Sequence, residues 1–146
     1  MTSLHKELIE ILNEEKALLS NLYRIVSEER DAIVGFNSKE LERILREKEQ
    51  TLIKLSLWES ARIKLLAKNG MENKALSEII DIRDESPELL QLKDLYNTMQ
   101  VLLRSIYDIQ KINEQFIDRS IIHISTAIKF LENFGVTPKQ SLLREA

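Results

Sequence analysis

Leu4, Leu8, Ile11, Leu18, Leu22 and Ile25 recur at helical spacing, and Ile9, Leu12, Leu19, Tyr23, Val26 and Ile33 form a second stripe beside them. Two adjacent stripes make a face wide enough for two neighbours, as in a bundle rather than a two-stranded coil. The pattern predicts a helix from Ser3 to Val34, closed by Gly35 as its left-handed residue. Asn37 and Glu40 have the spacing of a capping box, flanked by Phe36 and Leu41 as a hydrophobic staple. The second helix carries Leu41, Ile44, Leu45, Leu52, Leu55, Trp58, Leu65 and Leu66 and runs to Asn69 before Gly70. Arg62, Lys64 and Lys68 lie in its last turns, where cations suit the helix dipole. So short a connection folds the two helices into an antiparallel hairpin.

Residues 71–86 are less regular. Ala75, Leu76, Ile79, Ile80 and Ile82 suggest a short helix, and Asp81 to Ser86 reads as a polar loop. Ser86 then caps a third long helix with Pro87 in its first turn. Apolar residues continue at helical spacing from Leu92 to Phe134, with no breaker before Gly135. That helix is roughly 70 Å long, against roughly 45–50 Å for each of the first two. The predicted fold is all-α: an antiparallel, coiled-coil-like bundle of three long helices with one short extra helix. Residues 1–135 make one bundle domain and 136–146 a short tail. The similar lengths of the first two segments raise a tetratricopeptide-like repeat, but the Trp, Gly, Tyr, Ala and Pro pattern is missing and each unit is one helix, so it is rejected.

Composition narrows the chemistry. The chain has 146 residues, 43% hydrophobic and 31% charged, with a net charge of −3 and no cysteine. Disulfides, thiolate metal sites and cysteine nucleophiles are excluded. The acidic balance argues against nucleic acid as a partner, and no apolar run approaches a membrane span. The first ten residues lack the order of a secretory signal, so the expected location is the cytoplasm. Neither His5 nor His123 follows a Glu at the Glu-x-x-His spacing of a carboxylate-bridged metal site. His123 lies on the apolar side of the last helix, near Phe116, Phe130 and Phe134, and reads as a packed or interface histidine. Three dispersed glycines make no phosphate loop. The reading is therefore not an enzyme, with no catalytic residue, no metal and no cofactor.

Glu15, Glu29 and Lys48 interrupt the apolar seams. They are read first as charges that fix register and second as partner contacts. If the hairpin turns near Asn37, facing residues have numbers summing to about 71–73, which pairs Arg62 with Glu10 and sets Glu59 near Asn13. Toward its end the last helix is apolar over about half its circumference. It also outruns its hairpin. Either residues 71–86 fold back over the excess, or a second copy covers it, or apolar surface is left for a partner.

One family shares these features. Glu47-Lys48, Leu52, Leu55, Glu59, Arg62, Leu65, Leu66 and Gly70 resemble the second helix of FlgN-type flagellar export chaperones. Gln110, Asn113, Phe116 and Ile117 resemble that family's Asn-x-x-Asn-x-x-Leu-Leu/Ile pattern, with Gln110 in place of the first Asn. Glu15 and Glu29 fit its first helix, and the resemblance spans residues 4–134. The family's Tyr-Gly and Gly-rich extension is replaced here by Phe134-Gly135 and eleven more residues. The resemblance implies a cytoplasmic export chaperone without ATP chemistry. Its clients would be hook-filament junction proteins of the FlgK/FlgL type, bound by their C-terminal amphipathic helices, kept unassembled and handed to export apparatus components. With the apolar face, it puts client binding at Asn113, Phe116, Ile117, Ile121, Ile124, Ile128 and Leu131. The alternative is a self-associating structural coiled coil, a homodimer through the same face, with no client.

Overall fold

The computed structural model describes residues 2–72, 74–80 and 86–135, apart from the side chains of Thr2, Ser120, Ile121 and His123. The expectations for Ile82, for the loop from Asp81 to Glu85, for the tail 136–146 and for the His123 ring lie outside the described residues. The chain forms α1 (Thr2–Val34), α2 (Ser38–Lys68), α3 (Leu76–Ile80) and α4 (Pro87–Phe134), with no strand among the described residues. The fold is an all-α bundle of three long helices and one short one, as the periodicity predicts.

The helix ends follow from their caps. The Asn37 side chain accepts from the Glu40 backbone N–H at 3.2 Å. The Ser86 hydroxyl accepts from the Leu89 N–H at 3.2 Å, with Pro87 in the first turn. Gly70 (φ 74) and Gly135 (φ 99) are left-handed, as expected of helix-closing glycines. The first turn departs from expectation. Gly35 is not left-handed; Phe36 is, with φ 53. The Asn37 N–H reaches Ala32 O at 3.0 Å and the Phe36 N–H reaches Ile33 O at 3.2 Å, a Schellman closure whose left-handed position falls on Phe36, one residue after the glycine. Gly35 instead permits a close approach, since a Cβ there would lie 3.2 Å from Asp31 O. A bulky side chain in the left-handed region costs about 1–2 kcal/mol, and the Phe36 ring is 84% exposed, so little packing offsets that cost. Phe36→Gly is expected to raise stability by about 0.5–1 kcal/mol, net of glycine's extra chain entropy. A denaturant melt showing a loss would contradict this account of the turn.

α1 is the spine of the bundle. It packs against both α2 and α4, and among the described residues no Cα of α2 comes within 8 Å of one in α4. α2 runs antiparallel to α1 through the tight turn. α4 runs parallel to α1, because Asn113 reaches Val26 and Glu29 while Ile124 lies beside the hairpin turn. Leu8, Leu12, Leu22 and Val26 of α1 form the main core with Leu66 of α2 and with Leu92, Met99 and Ile106 of α4. Ile79 and Ile80 of α3 join it, and Ser77, Glu78 and Ile80 share a surface cleft with Lys93 and Tyr96 of α4. α3 therefore sits at the start of α4 and does not cover the far end of that helix.

The expected Glu10–Arg62 pair does not form. Arg62 Nε donates to Glu15 Oε1 at 2.9 Å instead. Asn21–Thr51 at 3.2 Å and Arg24–Glu47 keep sums of 72 and 71, within the expected register. The two buried ion pairs, Glu15–Arg62 and Glu29–Lys48, both sum to 77. Helical side chains lean toward their own N-terminus. In an antiparallel pair that lean brings together residues offset in opposite directions along the axis. The buried Glu15–Arg62 and Glu29–Lys48 pairs meet in this way about five residues off the backbone register, while the more exposed Arg24–Glu47 pair stays on it.

Candidate functional site

Two features of α4 are built from the same repeat. Leu92, Met99, Ile106 and Asn113 recur every seven residues and are buried against α1. After Asn113 no described α4 side chain is buried. The change occurs within about two turns of the end of α1.

At Asn113 the bundle closes on a polar cluster from all three long helices. Glu29 is 3% exposed, and its carboxylate accepts from Lys48 Nζ at 3.1 Å and from Asn113 Nδ2 at 2.8 Å. Asn113 Nδ2 also donates to Val26 O at 3.0 Å. Lys48 Nζ donates to Gln110 Oε1 as well. Both partners of the Asn113 amide are acceptors, which fixes its nitrogen toward them and leaves Oδ1 without a partner among the described residues. This cluster ties α2 to α4, whose backbones stay apart. Lys48, Gln110 and Asn113, separate pieces of the sequence resemblance, meet here. Asn113, expected on the client face, is 0% exposed and points into the bundle. A short amide at a seam position carried that signal in the sequence, since exposed apolar contacts do not require it.

One helical span lower, Glu15 is buried against Arg62. Burial pushes its carboxyl above the ordinary carboxylate range; the Arg62 guanidinium pulls it back in part, and nearby Glu59 adds to the rise. Since the folded state holds this proton more tightly than the unfolded chain, the Glu15 carboxylate costs stability at pH 7. That cost disappears as the pH falls through the raised pKa. Wild type should therefore gain stability relative to Glu15→Gln between pH 7 and about pH 4. Urea melts of both proteins at the two pH values check this, and a difference unchanged or reversed in sign contradicts it. On the solvent side of the hairpin, Arg24 and Arg43 hold the Glu47 and Glu40 carboxyls below their usual range through direct hydrogen bonds. These pairs are exposed and add little.

Beyond the cluster α4 continues into solvent. Ile117 and Ile124 line a groove of about 280 Å³ with Ala32, Ile33, Phe36 and Leu41 of the hairpin turn. Past Ile124 the helix runs ten more residues, about 15 Å, all of them exposed except the half-buried Ile128. Of the expected client positions, Phe116, Ile117, Ile124 (60% exposed) and Leu131 are exposed, and Ile128 is half-buried. The Ile121 side chain is outside the described set. Phe130 and Phe134 stack with ring centroids 6.0 Å apart on the same overhang. The sequence reading left Ile33, Phe36 and Leu41 out of the site. They lie in or beside a turn 76 or more residues before Ile117, and only the parallel course of α1 and α4 brings them together.

This arrangement offers an apolar surface with a recess at one end. Among the described residues no three His, Cys, Asp or Glu side chains are placed to share a metal ion, and no helix is long and apolar enough to cross a membrane. No curated protein and no solved structure matches the chain significantly. The family model for FlgN protein matches residues 1–135, all four helices and the glycine that ends the last. With that match over nearly its whole length, the chain belongs to the FlgN family, a family of flagellar export chaperones.

Proposed function

We propose that this protein binds the C-terminal amphipathic helices of hook-filament junction proteins of the FlgK/FlgL type on the overhanging face of α4. It keeps them unassembled in the cytoplasm and hands them to export apparatus components. The observation that carries this reading is the open seam. The face that buries α4 against α1 continues past the end of α1 through Ile124, Ala127 and Leu131, all exposed. A client helix lying along it takes the place that a longer α1 would occupy, in the helix-in-groove mode. Phe116, Ile117, Ile121, Ile124, Ile128 and Leu131 supply the contact, while Asn113 holds α4 in place beneath it. Each apolar side chain buried contributes about 1.5–3 kcal/mol, enough over several residues to offset the cost of ordering two helices and leave a reversible complex. Binding needs no cofactor and no catalytic group.

The test is hydrogen exchange with and without a FlgK-type C-terminal peptide. Protection is expected at residues 117–134 and in the turn at 32–41. Peptide binding that protects other elements and leaves these unchanged would refute the site. The second reading, a structural coiled coil with no client, draws on the seven-residue repeat of the same seam. It predicts that added peptide leaves the protein's mass in solution unchanged, whereas a chaperone's mass changes as it takes up its client.

A further inference from the structure

The open seam is complementary to itself. Ile117, Ile124 and Leu131 form one seven-residue row, and Ala127 and Phe134 continue the row of Leu92, Met99, Ile106 and Asn113. These rows are the two inward positions of a coiled-coil heptad, and in an antiparallel pair each packs across from the other. Set two copies of the overhang antiparallel about residue 129. Ile124 then faces Phe134 of the other copy, and Ala127 faces Leu131, each pair summing to 258. Large meets small in the two central layers. In the outer layers each Phe134 lands at the recess that Ile124 shares with Ile33, Phe36 and Leu41. Knob and recess lie on one helix, about 15 Å apart. A two-fold axis therefore lets each copy fill the other's recess, as an isologous interface requires.

Charge agrees with this. Residues 120–128 include no Asp, Glu, Lys or Arg in a chain that is 31% charged. The two charges beyond them, Lys129 and Glu132, fall on outer positions of the heptad. No like charges are forced together across the axis.

We infer that a second copy of this chain covers the overhang of α4, as an antiparallel dimer that hides the client face until client displaces it. The masking role rests on the client reading above; the dimer itself does not. About six apolar side chains per copy bury on the order of 1,000 Å² in total, at the lower bound for a specific interface. Dissociation is accordingly in the micromolar range or weaker, so the dimer yields to a client.

Sedimentation of the full chain without peptide should show 17.0 kDa at low concentration, rising toward twice that mass as concentration increases. Phe134→Asp should stay monomeric throughout and keep its helicity. The chain has no cysteine, so register can be read by cross-linking. Ala127→Cys mixed with Leu131→Cys should oxidise to the mixed dimer in preference to either homodimer. Wild type that stays at the monomer mass across the whole range overturns the inference, and so do Ala127→Cys homodimers forming as readily as the mixed species. Peptide titration keeps the two ideas apart. Wild type at concentrations where it is dimeric should pass to a one-to-one complex of protein and peptide as client peptide is added. If the dimer persists and binds no peptide, the client reading and its masking corollary fail while the dimer stands.

Discussion

Lys48→Met is expected to lower stability by about 3 kcal/mol, on the order of 10 °C in melting temperature. The Glu29 carboxylate is almost fully buried and pairs with Lys48 in a seam shared by three helices. With Lys48 gone it keeps the Asn113 amide as a hydrogen-bond donor but loses its countercharge. A buried charge without a partner is what makes breaking such a pair costly, and the pair itself need not stabilise the fold. The combined Glu29→Leu, Lys48→Met variant should therefore recover most of the loss. Thermal melts of the two variants decide the matter. A double variant as unstable as the single one would mean that the cluster stabilises the fold in its own right. Neither substitution touches the α4 overhang, so peptide binding by the folded fraction should be unaffected.

The same cluster shows what was legible in advance. Glu29 and Lys48 interrupt apolar stripes visibly, and their reading as seam charges is supported by the pairing of both. Helix ends were legible because Asn37, Ser86, Pro87 and Gly135 each act within one turn of the chain. The excess length of the last helix followed from counting residues at fixed rise. Quantities set by two helices at once were not legible. Arg62 meets Glu15 rather than Glu10 because both side chains lean toward their own N-termini. Asn113 turns inward because acceptors from α1 await it there, and a pattern along α4 alone cannot show them. The left-handed residue of the first turn falls on Phe36 because the closure is counted from the last helical residue, not from the glycine.

Ile124→Asp combined with Ile128→Asp is expected to weaken binding of a FlgK-type C-terminal peptide by at least about 100-fold, roughly 2.7 kcal/mol. Two carboxylates placed in an apolar interface have no countercharge there, since residues 120–128 of α4 include no cation to pair with them. The unbound protein should barely notice. Ile124 is 60% exposed and Ile128 is half-buried, so both carboxylates keep much of their hydration in the free state. Helicity should persist and the melting temperature should move by only about 2 °C, as for most surface substitutions. The contrast lies 18 residues earlier on the same helix. Ile106 is buried in the main core, and Ile106→Asp should lose helicity and binding together. Circular dichroism and peptide titration on both proteins separate the cases. A folded Ile124→Asp, Ile128→Asp protein that binds peptide at wild-type affinity would remove α4 as the client surface. One that unfolds as Ile106→Asp does would show that this face is internal core.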